Sequence, residues 1–161
     1  MIIRLWNLWI VEIPAEPGSY IIFGRLADEM CFTSGLFSGQ LLTRGYYLYT
    51  GSAFGSGGLR ARIARHLKPG TKKFWHFDYL KALIQIEEIW YSPGGKNQEC
   101  QFIKALQDLD YSSFPFLKFG SSDCRHGCQA HLVRFPLETN MDIAYDHLHK
   151  YGFSINIISL K

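Results

Sequence analysis

Several side chains in this 161-residue chain are of types that do chemistry, and they recur at suggestive places. Tyr20 follows Gly18 where a strand begins, and Tyr49 ends another strand just before Gly51. A phenol donates a hydrogen bond to an oxyanion or, once ionised, accepts a proton, with an ordinary pKa of about 10. Tyr46, Tyr47 and Tyr49 crowd together, so position alone does not choose among them, and all suit a sheet. Arg62 and His66 stand one helical turn apart, and a guanidinium fork suits phosphate. Glu99 lies in the same helical stripe as Phe102, Ile103, Leu106 and Leu109. A carboxylate facing the core is costly unless it is paired or holds a cation. The other reading is a first-turn acid answering the helix dipole. Cys124, His126, Cys128 and His131 fall within eight residues, with Cys100 available from the preceding helix. Their atoms suit zinc, but a single short loop wraps a tetrahedral ion poorly. The expectation is reduced thiols, with no structural zinc and no disulfide.

The elements that must position these groups follow from periodicity. Residues 2–13 read as an apolar strand and 14–18 as a turn; strands follow at 19–26 and 44–50, with an irregular hairpin between. Alternation puts Tyr47 and Tyr49 on one strand face and Tyr46 on the other. The glycines at 51, 55, 57 and 58 match neither a Walker loop nor GxGxxG. They join a strand end to a helix start, where free amides favour an anion, or they form a plain flexible loop. The helix at 59–68 buries Leu59, Ile63 and Leu67, which leaves Arg62 and His66 on one edge of its stripe. Further helices are expected at 74–84, 97–109 and 141–150, and strands at 86–91, 130–135 and 153–160. The fold class is mixed α/β, with a small, mostly antiparallel central sheet flanked by helices. It is expected to form one domain over 1–161.

A hydrophobic fraction of 47% and a charged fraction of 19% exclude a disordered tail. No stretch approaches the roughly 18 apolar residues of a membrane span. Four cysteines without an export signal point to reduced thiols in a cytoplasm. The net charge is +3, yet no acidic residue stands between Glu29 and Asp78. That block carries Arg44, Arg60, Arg62, Arg65, Lys68, Lys72 and Lys73, which suggests a polyanion. Charge alone leaves nucleic acid, an anionic membrane surface and a merely solvated face open.

As a set, Gly18-Ser-Tyr20, Tyr49-Thr-Gly51, Arg62 and Glu99 resemble the GIY-YIG nuclease superfamily in order and spacing, over about residues 18–105. The segments Gly57–His66, Trp75-His-Phe-Asp-Tyr79, Glu99-Cys100 and Gly120-Ser-Ser-Asp-Cys124 resemble a stand-alone branch long catalogued as a domain of unknown function. Ser19 and Thr50 stand where isoleucine is usual, on the strand face away from the tyrosines.

The resemblance implies a metal-dependent endonuclease that hydrolyses phosphodiester bonds of DNA, with repair or defence as settings; the choice between DNA and RNA is left open. Tyr49 would act as base or position water, Tyr20 would hydrogen-bond beside it, and Arg62 would clamp phosphate. His66 would orient a tyrosine or substrate, with His76 as a second candidate. Glu99 would hold one Mg²⁺ or Mn²⁺. Arg60, Arg65, Lys68, Lys72 and Lys73 would track the nucleic-acid backbone. Both hydroxyls should then meet Arg62 and Glu99 in one concave site, with Glu99 on the Tyr49 side of the sheet. The alternative is a non-cleaving nucleic-acid-binding module on the same fold; a third reading is a zinc-stapled interaction domain.

Overall fold

A computed structural model describes residues 9–161. Its centre is a five-stranded sheet in the order β6-β4-β1-β5-β7, every neighbouring pair antiparallel. The strands are β1 (Gly18–Leu26), β4 (Gly45–Ala53), β5 (Gln85–Pro93), β6 (Leu132–Phe135) and β7 (Asn156–Ser159). A small hairpin of β2 (Met30–Cys31) and β3 (Leu41–Leu42) fills the irregular stretch before β4. The helices are α1 (Gly58–Leu67), α2 (His76–Leu80), α3 (Gln98–Gln107) and α4 (Asp142–Lys150).

Strand alternation divides the core into two layers. One face carries Tyr20, Ile22, Tyr47 and Tyr49 and is covered by Leu59, Ile63 and Leu67 of α1 and by Phe77 of α2. The other carries Ile21, Phe23, Leu48 and Trp90, with Tyr46 packed beside them, and is covered by Phe102, Ile103 and Leu106 of α3 and Ala144 and Leu148 of α4. The expected split of the tyrosines between faces therefore holds.

Three local readings need correction. Residues 2–8 of the expected first strand lie outside the described residues; from Trp9 the chain forms turns, with the Glu12 amide bonded to the Trp9 carbonyl at 3.1 Å. Strand β4 runs on to Ala53, because Gly18 to Tyr20 of β1 pair with it residue for residue. The first glycine of the supposed loop is thus sheet. The start of α1 is also not open to an anion: the Leu59 and Arg60 amides already bond the Glu16 and Pro14 carbonyls. Gly58 enters that helix at φ 54°, where a Cβ would overlap the Glu16 backbone.

Helix α2 is shorter than the expected 74–84. The Asp78 carboxylate turns back to the Phe74 and Trp75 amides, at 2.9 Å each, and Trp75 stays extended. Helical geometry therefore starts only at His76.

Candidate active site

Strand β6 pairs with β4 only from Tyr46 to Tyr49. Beyond that point β4 keeps one bond on this side, from the Thr50 amide to the His131 carbonyl at 2.9 Å. A cleft of about 320 Å³ opens at this edge, along Thr50, Gly51 and Ser52. Tyr20, Tyr49, Arg62, His66 and Glu99 all line it.

Tyr20 reaches the cleft by crossing β4 at its register partner Gly51, where a Cβ would overlap the Tyr20 hydroxyl and ring. Gly51→Ala should therefore push the phenol out of place and cost about 1–3 kcal/mol by overpacking. Chemical denaturation checks the stability. An unchanged midpoint would show that Tyr20 yields freely.

The Tyr20 hydroxyl lies 2.7 Å from Nε2 of His66, which is buried at the end of α1. The other ring nitrogen of His66, Nδ1, has no hydrogen-bond partner among the described residues. Burial, reinforced by Arg62 and Arg65, lowers the His66 pKa to about 3 against the pull of Asp78. His66 is therefore neutral at pH 7 and shares one proton with Tyr20: either the phenol donates to Nε2 or Nε2–H donates to the phenol oxygen.

Burial also pushes Tyr20 well above its ordinary value, and Tyr49 and Glu99 add to this, while Arg62 and Arg65 pull the other way and lose. Tyr49 is raised by burial too, against Arg62. Burial thus outweighs the arginines at both phenols, which are donors at pH 7. Tyr49 is fixed by stacking on Phe77, with centroids 4.7 Å apart.

Arg62 and Arg65 both lie over the Trp75 ring, at 4.5 and 3.7 Å. They differ in what else they touch. Arg65 bonds the buried Asp78 carboxylate at 3.2 Å, whereas Arg62 pairs with no carboxylate among the described residues. Its fork of donors is left for the cleft. Burial pushes the Asp78 carboxyl up, but the Phe74 and Trp75 amides and Arg65 more than offset this and hold it below the usual range.

Glu99 arrives from the other side. Its helix packs on the face opposite Tyr49, contrary to the expectation of one shared face, because Phe102, Ile103 and Leu106 belong to the second core layer. The carboxylate sits in the first turn of α3, half-buried rather than in the closed core, and reaches the cleft past the end of that layer. It accepts a hydrogen bond from Ser19 Oγ at 3.3 Å. Ser19 lies on the α3 face of β1 and so meets the candidate metal-binding acid.

Residues 19–152 match the family model described as Domain of unknown function DUF123. The chain belongs to that family. No curated protein and no solved structure matches it. The DUF123 match contains every residue of the cleft named above, and it extends through the segment between α3 and β6 that forms the cleft's remaining wall.

Within this DUF123 chain the other expected site residues are placed differently. Arg60 bonds the Ile13 and Val11 carbonyls and so braces the first turn. Arg65 is held by Asp78, so each arginine already has a partner within the fold. Lys68, Lys72 and Lys73 are exposed but do not line the cleft. His76 accepts the Gly120 amide at 2.9 Å and packs on Phe37 and Phe119, which makes it a brace for the wall segment. Arg125, Asp123 and Asn97 line the cleft and carried no periodic signal in the sequence. Asp78 had a different signal: it is the first acid after the long acid-free basic stretch, with Trp75 three residues before it.

Cys100, Cys124, Cys128 and His131 converge, their ligand atoms all within 4.8 Å of one another, while His126 stays outside on the surface. The objection that one short loop would have to wrap an ion is removed, because Cys100 comes from α3 and His131 from the entry to β6. No described helix is long and apolar enough to cross a membrane.

The buried imidazole predicts acid lability. Between the ordinary histidine pKa of about 6.5 and His66's value of about 3, the unfolded chain binds a proton that the folded chain refuses. Stability therefore falls as pH drops through that window, by up to about 1.4 kcal/mol per unit for this group. His76 and His131, also lowered by burial, act in the same direction. Denaturation midpoints between pH 7 and 4 should drop more steeply for wild type than for His66→Gln. Equal slopes would contradict the assignment.

Proposed function

We propose that the protein is a divalent-metal-dependent phosphodiesterase that cuts DNA. The observation that carries this reading is the meeting of Tyr20, Tyr49, Arg62, His66 and Glu99, drawn from four elements, in one open cleft. The resemblance of the same residues to the GIY-YIG superfamily supports it.

In this reading Arg62 grips two oxygens of a phosphodiester, held flat by Trp75 so that little side-chain freedom is lost on binding. Tyr20 and Tyr49, as protonated phenols, donate to the phosphoryl oxygens as negative charge gathers there or hold the attacking water. His66 keeps the Tyr20 hydroxyl aimed, and its neutrality keeps a competing positive charge out of the interior. Glu99 fits a hard cation: its carboxylate is partly exposed to the cleft, with the Ser19 oxygen beside it. Mg²⁺ or Mn²⁺ bound there would supply an acidic water and charge neutralisation.

A second reading keeps the cleft as a nucleic-acid-binding surface without cleavage. The elevated phenol pKa values favour it, since neither tyrosine is a ready base at neutral pH. A screen of end-labelled duplex, branched and single-stranded DNA and of RNA, each with Mg²⁺ and Mn²⁺, separates the two. Metal-dependent cuts in DNA support the first reading. Retention of every substrate uncut, with measurable binding, supports the second.

A further inference from the structure

We propose that Cys100, Cys124, Cys128 and His131 bind one structural Zn²⁺ that ties the wall of the cleft to α3 and to the edge of β4. The site is separate from Glu99 and needs no assumption about cleavage.

The geometry is that of a tetrahedral ion's ligand shell. With Zn–S near 2.3 Å and Zn–N near 2.0–2.1 Å, tetrahedral ligand atoms lie roughly 3.6–3.8 Å apart. The Sγ atoms of Cys100 and Cys124 are 3.5 Å apart, and Cys100 Sγ lies 3.6 Å from His131 Nε2. These gaps are far longer than a disulfide bond of about 2.05 Å, and a disulfide would leave the third thiol unpaired. Three sulfurs and one imidazole nitrogen form a closed, soft donor set, which selects zinc over the hard cation suited to Glu99.

The surroundings match an occupied site. The His126 amide points at Cys124 Sγ at 3.4 Å, a contact that favours thiolate. The fold gives such an ion work to do. From Asp108 to His131 the chain has no helix or strand of its own, only turns and one isolated bridge at Ser113. Phe116 and Phe119 pack into the core, but the hydrogen bonds that tie the segment to the rest of the fold are few, among them the Gly120 amide on His76, the Ser113 bridge, the His131 carbonyl on Thr50 and the Tyr151 hydroxyl on Asp108. Zinc would add a fixed link from this segment to the residue directly after Glu99, so the metal would set the distance between Glu99 and the edge of β4.

The test is metal content of the full chain, expressed without an affinity tag and measured by elemental mass spectrometry. About one zinc per chain is expected. Cys100→Ser and Cys128→Ser should each lose at least 90% of it, while His126→Ala should keep it. Because a serine variant could fail to fold, His131→Cys supplies a four-thiolate control that should fold and retain zinc. Stripping wild type with a strong chelator should lower its Tm by at least about 5 °C, restored by zinc but not magnesium. Under one tenth of a zinc per chain after refolding with zinc, or zinc unaffected by Cys100→Ser and Cys128→Ser, would overturn the proposal. So would a Cys100–Cys124 disulfide as the resting state. None of these readouts involves nucleic acid, so the zinc site and the phosphodiesterase reading stand or fall separately.

Discussion

Glu99→Gln is expected to lower metal-dependent DNA cleavage at least about 100-fold while leaving fold and DNA affinity nearly intact. The change keeps shape and removes only the charge. Glu99 is half-buried in the first turn of α3, and among the described residues its carboxylate accepts one hydrogen bond, from Ser19, which a glutamine oxygen also accepts. Little stability is therefore at risk. The loss falls on the cation held there, whose electrostatic contribution is worth several kcal/mol, and each 1.36 kcal/mol is a factor of ten in rate. Single-turnover cleavage beside a binding titration reads both effects. Cleavage within threefold of wild type would reduce Glu99 to a helix-terminus acid.

Arg62→Ala is expected to remove cleavage to a similar extent and, unlike Glu99→Gln, to weaken DNA binding about tenfold or more. A charge-assisted hydrogen bond is worth about 1.5–3 kcal/mol. Arg62→Lys should recover part of the binding but little of the cleavage, because an ammonium is a point charge without the planar fork. Arg65 provides the contrast. It shares the Trp75 ring with Arg62 but neutralises the buried Asp78, so Arg65→Ala should cost stability first. Titrations at one fixed salt concentration, with Tm measured alongside, distinguish the two arginines. Equal loss of binding with full stability in both would contradict the division of roles.

That division was only partly legible in the sequence. Element types came from periodicity, and it served well where an element is amphipathic: α1, α3 and the alternating strands β1 and β4 stand close to where apolar spacing puts them. Tyr20, Tyr49, Arg62, His66 and Glu99 were legible because order along the chain survives folding. What spacing does not carry is the face from which each arrives. Glu99 shares its stripe with Phe102 and Ile103, and nothing local says that this stripe covers the sheet face away from Tyr49. Charge patterning likewise reports composition and not commitment: Arg60 and Arg65 look as available as Arg62 until the Ile13 carbonyl and Asp78 are seen to hold them. The start of α2 was missed because Asp78 caps the helix at that point, accepting the Phe74 and Trp75 amides while Trp75 stays extended. Cys100 was visible in the sequence only as an available ligand, because spacing does not say where α3 lies against the segment that carries Cys124, Cys128 and His131.

The most direct test of the central claim is whether purified wild-type protein nicks supercoiled plasmid in Mg²⁺ or Mn²⁺. The expected result is conversion to open circles that requires the metal, stops with chelator and is lost in Glu99→Gln. Plasmid bound by the wild-type protein yet uncut in either metal, across a range of pH, would contradict it.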